Sequence, residues 1–219
     1  MIPVRDINPR RGFPVATVLL IVLNVLVFVY ELLLPAGALD ATVHAWGLVP
    51  SKLVSLDVSA FVALFTSMFL HSGFMHLGSN MLYLWIFGDN IEGALGSAGF
   101  LAFYLLCGLG AALGQVLVNP LSDLPMIGAS GAISGVMGAY LVLFPRVAVE
   151  TLIVVGYFLR RVRLPAVVVL GLWIVMQLFS GVLSLGVEAM GGVAFFAHVG
   201  GFVCGVVLIN LFKKRRWRE

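Results

Sequence analysis

Six stretches of this chain are so long and apolar that water is the wrong solvent for them. They run from about Val15 to Leu34, Met75 to Gly93, Gly99 to Val118, Ser130 to Phe144, Pro165 to Ser184 and Val193 to Phe212. A helix needs roughly 20 apolar residues to cross the ~30 Å hydrocarbon core of a bilayer, and within that core every backbone N–H and C=O must find its partner inside the protein. The second and fourth stretches are the least apolar. Two further runs, Val58 to Leu70 and Val147 to Leu159, are about 13 residues long, a length that suits an interfacial or re-entrant piece and not a crossing. Composition agrees: 61% of the 219 residues are hydrophobic, 11% are charged and the mean hydropathy is +1.10, outside the usual mix of a soluble domain. No change of composition and no Ser/Pro/Gly-rich linker divides the chain. The expectation is an all-α membrane protein, one domain over residues 1–219, built as a six-helix bundle with short basic tails.

The basic residues orient the bundle. Arg5, Arg10 and Arg11 precede the first span; Arg146, Arg160, Arg161 and Arg163 join the fourth to the fifth; Lys213, Lys214, Arg215, Arg216 and Arg218 follow the sixth. Twelve of the 13 Lys and Arg residues then share one side and Lys52 alone takes the other, which puts both termini in the cytoplasm. Counting Val147 to Leu159 as a seventh crossing would destroy that partition. The apolar run after MIPVRDINPRRGFP lacks a small-residue cleavage site and reads as a retained span. The tail KKRRWR abuts a span and carries one aromatic at headgroup depth, so it reads as a membrane anchor, with no nucleic acid among the partners. Cys107 and Cys204 both fall inside apolar runs and read as buried free thiols, without a disulfide or metal role.

A polar group in hydrocarbon costs free energy unless it is paired or faces a wet cavity, so the polar residues inside the spans carry the functional signal. In HSGFMHLGSN, His71 and His76 flank the entry to the second span, and Asn80 lies on the same helix face as His76. GASGAISG places Ser130 and Ser134 at the start of the fourth span, and AHVGGFVCG places His198 near the start of the sixth. With the termini inside, these three spans all run inward, so their first turns share one depth near the outer face. Gly131 and Gly135 form one GxxxG pattern, Gly201 and Gly205 another, and two such faces let helix backbones approach closely. A serine on one helix can then reach a histidine on the next, the arrangement a serine nucleophile with a histidine base requires.

Each feature alone has a plainer reading. A serine among small residues is usually a packing or interhelical hydrogen-bonding residue, and a lone membrane histidine is as often structural as catalytic. Ser134, about 6 Å deeper along the helix, is a rival nucleophile. A metalloprotease would need an HExxH-type pair with an adjacent carboxylate, which HLGSN lacks. A transporter would place its polar residues near the midplane of interrupted helices, often in repeated halves, and no repeat is found. The combination of nucleophile, base and two potential donors at one depth favours catalysis.

These residues together resemble the rhomboid family of intramembrane serine proteases, in the six-span bacterial form. The resemblance rests on GASG with Ser130, HSGFMHLGSN with His71, His76 and Asn80, GDNIE at Gly88 to Glu92, and AHVGGFVCG with His198, Gly201 and Gly205. It implies that Ser130 is the nucleophile and His198 its base in a dyad without a carboxylate. It also implies that His76, Asn80 and the Ser130 N–H form the oxyanion hole, and that His71 is structural or governs access. Gly128, Gly131, Gly135, Gly201, Gly205 and Ser134 would be structural. The implied substrate is a transmembrane segment of another protein, cut near its outer end, with no cofactor and no metal. The enzyme would be integral to the inner membrane, its site toward the outer face, with a partly membrane-embedded loop between the first two spans. A polar cavity closed by the fifth span and the loop after it is expected, with FFAHVGG at its wall. At Ser134 some relatives carry an aromatic that packs on the catalytic histidine, so here either His198 lacks that support or the Ser134 hydroxyl supplies a hydrogen bond. An inactive relative that binds transmembrane clients is the alternative, and the sequence sets no oligomeric state.

Overall fold

The apolar stretches become helices at close to the expected bounds. A computed structural model describes residues 1–9, 12–156, 158–185 and 193–212. The helices at the six apolar stretches are α1 (Val15–Leu33), α5 (Phe74–Leu95), α6 (Ser97–Val118), α7 (Ser130–Leu143), α8 (Ala166–Ser184) and α9 (Phe195–Phe212). Of these, α1, α6, α8 and α9 are each long and apolar enough to cross a membrane. Helix α5 reaches that standard only together with the apolar segment Val58–Phe69, from which it is bent by 80°, because its own sequence carries His76, Asn80, Asp89, Asn90 and Glu92. Helix α7 has only 14 residues.

Between α1 and α5 the chain forms α2 (Ala38–Trp46), α3 (Pro50–Val54), α4 (Val58–Thr66) and a 3-10 turn at Ser67–Phe69. Asp57 caps α4 by accepting from the Ser59 N–H at 2.9 Å. The run from Val147 to Leu159 is not a helix of any kind. It enters an antiparallel sheet with strand order β1 (Ile2–Asp6), β2 (Ala148–Val155) and β3 (Phe158–Pro165). The fold is therefore mostly helical, as expected, with a small sheet that an all-α reading leaves out. The alternation of Arg and Val or Leu in FLRRVRLP suits a half-exposed strand better than a crossing helix. The sheet lies at the end of the bundle opposite the start of α7, with Glu150 bridging Arg5 at 2.8 Å and Arg163 at 3.0 Å.

Helix α7 is the centre of the molecule. Its residues 131 to 140 are all buried, which a strip of Gly, Ala and Ser permits, since small side chains let other helices close on every face. Helix α9 packs against α7 and α6. The core continues through Leu84, Phe87, Phe100, Phe103, Met137 and Tyr140, with Phe87 and Tyr140 edge to face at 5.0 Å. The outer faces of α1 and α8 are apolar and uncovered: Leu26, Val29, Leu33, Val175, Met176 and Phe179 are all more than 40% exposed. A continuous apolar surface of this kind is what lipid covers.

Candidate active site

The chain enters α7 along a fixed path. Leu48 and Met126 exchange backbone hydrogen bonds at 2.8 and 3.0 Å, and the Gly128 N–H donates to the Ser67 carbonyl at 2.8 Å, so the segment between α1 and α5 holds the approach to Ser130. Gly128 has φ of +118°, and a Cβ there would stand 2.7 Å from Nε2 of His76. Only glycine meets both conditions. Gly128 thus brings His76 against the backbone just ahead of Ser130.

Ser130, the first residue of α7, donates from Oγ to Nε2 of His198 at 2.8 Å. His198 sits in the first turn of α9, and the two residues are 68 positions apart in sequence. The glycine seam makes this reach feasible. A Cβ added at Gly201 would strike the Gly131 carbonyl, and one at Gly205 would strike the Gly135 carbonyl; Gly131 and Gly135 in turn face Ala111 and Cys107 of α6. A second seam lies between α6 and α9, where Gly114 and Gly200 pack backbone to backbone; a Cβ on Gly114 would lie 2.8 Å from the Gly200 Cα. Two glycine faces, not one, seat α9.

Ser134 is not arranged to compete with Ser130 or to support His198. It is fully buried and its hydroxyl donates back to the Ser130 carbonyl at 2.6 Å, the i to i−4 bond that serine often makes in a helix.

Around the serine stand donors without acceptors. No side chain caps the start of α7, so its first-turn N–H groups, at the positive end of the helix dipole, have no intrahelical partner. Asn80 is buried and its Nδ2 makes no hydrogen bond among the described residues. His76 accepts at Nδ1 from the Ser72 N–H at 3.4 Å and meets the Ser72 hydroxyl there at 3.0 Å, which leaves the proton on Nε2 facing Gly128. His71 does not join this group. Its backbone N–H donates to both carboxylate oxygens of Glu31 at 3.2 Å, its Nδ1 bonds the Phe69 carbonyl at 3.1 Å, and its ring lies edge-on to that of His76 at 5.0 Å. It backs His76. Beside Ser130 is a cavity of about 40 Å³ whose lining includes Met126, Gly128, Ala194 and Ala197, space for roughly two or three water molecules. The start of α9 thus forms part of its wall. The loop expected to close the site, residues 186–192, lies outside the described residues, as do Arg10, Arg11, Glu188 and the tail from Lys213.

The sequence reading missed Gln177 and Trp173. Both lie on α8, four residues apart and so on one face. Nδ1 of His198 bonds Oε1 of Gln177 at 2.8 Å, and the Trp173 ring lies 5.8 Å from the imidazole at a 40° tilt. The acids Asp40, Asp57 and Asp123 lie elsewhere, Asp57 capping α4 and Asp123 accepting from Ser51 at 2.6 Å. An amide carries no charge to mark it out; the period-four spacing of Trp and Gln on an otherwise apolar span was the available signal. From α6, Gln115 accepts from the Ala197 N–H at 3.3 Å, so the turn carrying His198 is held from two neighbouring helices.

What these groups can do chemically is transfer an acyl group: a hydroxyl bonded to an imidazole, an imidazole oriented from behind, and donors gathered around one point. Known proteins resemble this chain in sequence. The sequence is 30% identical over 199 residues to the Rhomboid protease GluP of Bacillus subtilis, covering 90% of this chain and 34% of that protein. It is 29% identical over 206 residues to the Rhomboid protease AarA of Providencia stuartii, covering 88% of this chain and 70% of that one. To Rhomboid protein 1, mitochondrial, of Saccharomyces cerevisiae it is 37% identical over 92 residues, 40% of this chain and 27% of the relative. The yeast and Bacillus proteins are much longer, and the chain spans about a quarter and a third of them. The sequence model of the Rhomboid domain matches residues 58–215, well over half of the chain and the whole of the helical core from α4 onward. With apolar helices of membrane-crossing length and exposed apolar outer faces, the chain is an integral membrane protein that belongs to the rhomboid family.

Proposed function

We propose that the protein is an intramembrane serine endopeptidase that cuts transmembrane segments of other membrane proteins near their outer ends. The observation that carries this reading is the 2.8 Å bond from Ser130 Oγ to His198 Nε2, made between two helices whose backbones meet at glycines. Oγ attacks the carbonyl carbon of the scissile peptide bond while its proton passes to Nε2. The resulting oxyanion is met by the Ser130 N–H, Nε2–H of His76 and Nδ2 of Asn80. His198 then gives the proton to the leaving amine nitrogen, leaving an acyl ester on Ser130, and water activated by the same Nε2 hydrolyses the ester.

The membrane arrangement follows the same reading. Six crossings, α1 and α5 to α9, form a single rhomboid-type domain over residues 1–219. Both termini and the sheet face the cytoplasm, and the first turns of α5, α7 and α9 point outward. Arg5, Arg146, Arg160, Arg161 and Arg163 cluster on or beside the sheet, at the end opposite Ser130, whereas Lys52 is on α3 at the Ser130 end, which supports that orientation. Helix α7, at 14 residues, is about 21 Å long against a hydrocarbon core of ~30 Å. With its far end at the cytoplasmic boundary, its first residue lies roughly 10 Å below the outer one, where water enters from the outside and a substrate helix can present an unwound end. An inner-membrane location fits this orientation, and the chemistry calls for no cofactor.

The test is cleavage of a model transmembrane substrate in proteoliposomes, with fluorophosphonate labelling located by mass spectrometry. Ser130→Ala and His198→Ala should each lower cleavage by about 10⁴-fold or more, and the label should sit on Ser130. Label on Ser134, or activity in Ser130→Ala, would refute the dyad. A wild-type protein that binds the substrate without cutting it would be a client binder instead.

A further inference from the structure

We propose that Gln177 is a positioning residue of the Ser130–His198 pair: its amide oxygen fixes the imidazole tautomer and angle from α8, in the place that a carboxylate takes in a serine-histidine-acid triad. This rests on the dyad reading above. The bond from Nδ1 to Oε1 is 2.8 Å, and an amide oxygen can only accept, so the ring proton resides on Nδ1. Nε2 is then unprotonated and free to take the Ser130 proton across its own 2.8 Å contact. The opposite tautomer would present N–H to the serine and could not act as base. Among the described residues no carboxylate hydrogen-bonds the ring, and the other imidazole at the site is that of His76 on α5, against Gly128.

The choice of an amide has a physical consequence. A carboxylate would both orient the ring and attract the imidazolium, but an ion sunk in hydrocarbon is costly to keep charged. A neutral amide supplies the orientation without that cost. Because Gln177 and Trp173 both reach His198 from α8, and that helix is otherwise buried only at Ala166, Val169, Leu170 and Gly181, the ring's alignment follows the seating of α8. Gly181 anchors that seat, with Phe195 and Phe196 of α9 at 3.2 Å from where its Cβ would be.

The experiment compares wild type, Gln177→Leu and Gln177→Glu as full-length protein in proteoliposomes. Two rates are followed across pH: fluorophosphonate labelling of Ser130 and cleavage of the model substrate. Gln177→Leu should slow both by roughly 10- to 100-fold, the range lost when a group that orients a functional histidine is removed, with the thermal midpoint unchanged. Gln177→Glu keeps an acceptor and should retain most of the rate at alkaline pH. Its acid limb should move to higher pH, because a nearby negative charge favours imidazolium and so removes the free base at a higher pH. A residue that only packed would leave the acid limb where it was. Unchanged labelling in Gln177→Leu, or an unshifted acid limb in Gln177→Glu, overturns the proposal while leaving the dyad standing. Wild-type labelling of Ser130 that is indifferent to His198→Ala overturns the dyad itself and this proposal with it.

Discussion

Helices α5 and α7 carry polar groups at both ends, and the two ends are finished differently. At the sheet end the carboxylates are answered. Glu92 accepts from the N–H groups of Ala16 and Thr17 at 2.9 and 2.8 Å, from the Thr17 hydroxyl at 2.8 Å and from Ser97 at 2.6 Å, so one carboxylate of α5 caps the start of α1. Asp6 accepts from Tyr140 at 2.6 Å and from Asn90 at 2.9 Å, tying β1 to both helices. At the Ser130 end the donors outnumber their acceptors. Among the described residues the buried Nδ2 of Asn80, one helical turn from His76, has no acceptor. A saturated network stabilises the fold, whereas an unanswered buried donor costs roughly 1 to 3 kcal/mol and is worth keeping only where something else arrives to accept from it. One end is closed by its own hydrogen bonds and the other leaves donors open.

Substitutions can break this contrast by showing function at the closed end or indifference at the open one. The largest effect on chemistry short of the dyad itself is expected at Asn80. Asn80→Ala should lower kcat for the model substrate by about 10²- to 10³-fold, the cost of removing one oxyanion donor, while the thermal midpoint holds or rises, since an unpaired buried polar group has gone. A fall in stability with unchanged kcat would make Asn80 a structural residue and erase the contrast. Next comes Glu92→Ala, which strands two amides and two hydroxyls. It should cost about 3 kcal/mol and lower the detergent-phase midpoint by roughly 5 to 10 °C, with activity per folded molecule unchanged. The smallest effect belongs to Glu150. Hydrogen bonds from Arg5 and then Arg163 hold its carboxyl below the ordinary value of about 4.5, so its contribution is present above that value and fades as the pH falls through the lower, folded one. Glu150→Gln should therefore lower the midpoint at pH 7 by roughly a degree or two, and the gap to wild type should close as the pH falls through that lowered value. A gap that widened in acid would show that the bridge is not what Glu150 supplies.

The closed end was the harder one to read. GDNIE stood out only through its resemblance to a family, because a carboxylate's role as the cap of a helix about 75 residues away has no local pattern. The sheet was missed for a related reason: the apolar run from Val147 is interrupted by Glu150 and Thr151 too soon for a crossing, yet its pairing partners lie in residues 2–6, a contact that no periodicity reveals. The open end was more legible. Ser130, His198, His76 and Asn80 are polar groups on apolar helices, which cost free energy unless paired or wet, and span order predicts that they lie at one depth. Gln177 escaped because an amide on an apolar helix looks like an ordinary polar neighbour until the imidazole is seen in front of it.

The sequence by itself determined the solvent, the positions of the apolar helices and the types of polar group that begin three of them. These follow from transfer free energies and charge, which act residue by residue. Tertiary structure alone decided which hydroxyl faces the imidazole and which turns back to its own helix, which amide orients the ring, and which carboxylate closes a distant helix. Those outcomes depend on how closely backbones approach and in what rotation, and a glycine seam fixes both only once the helices have packed.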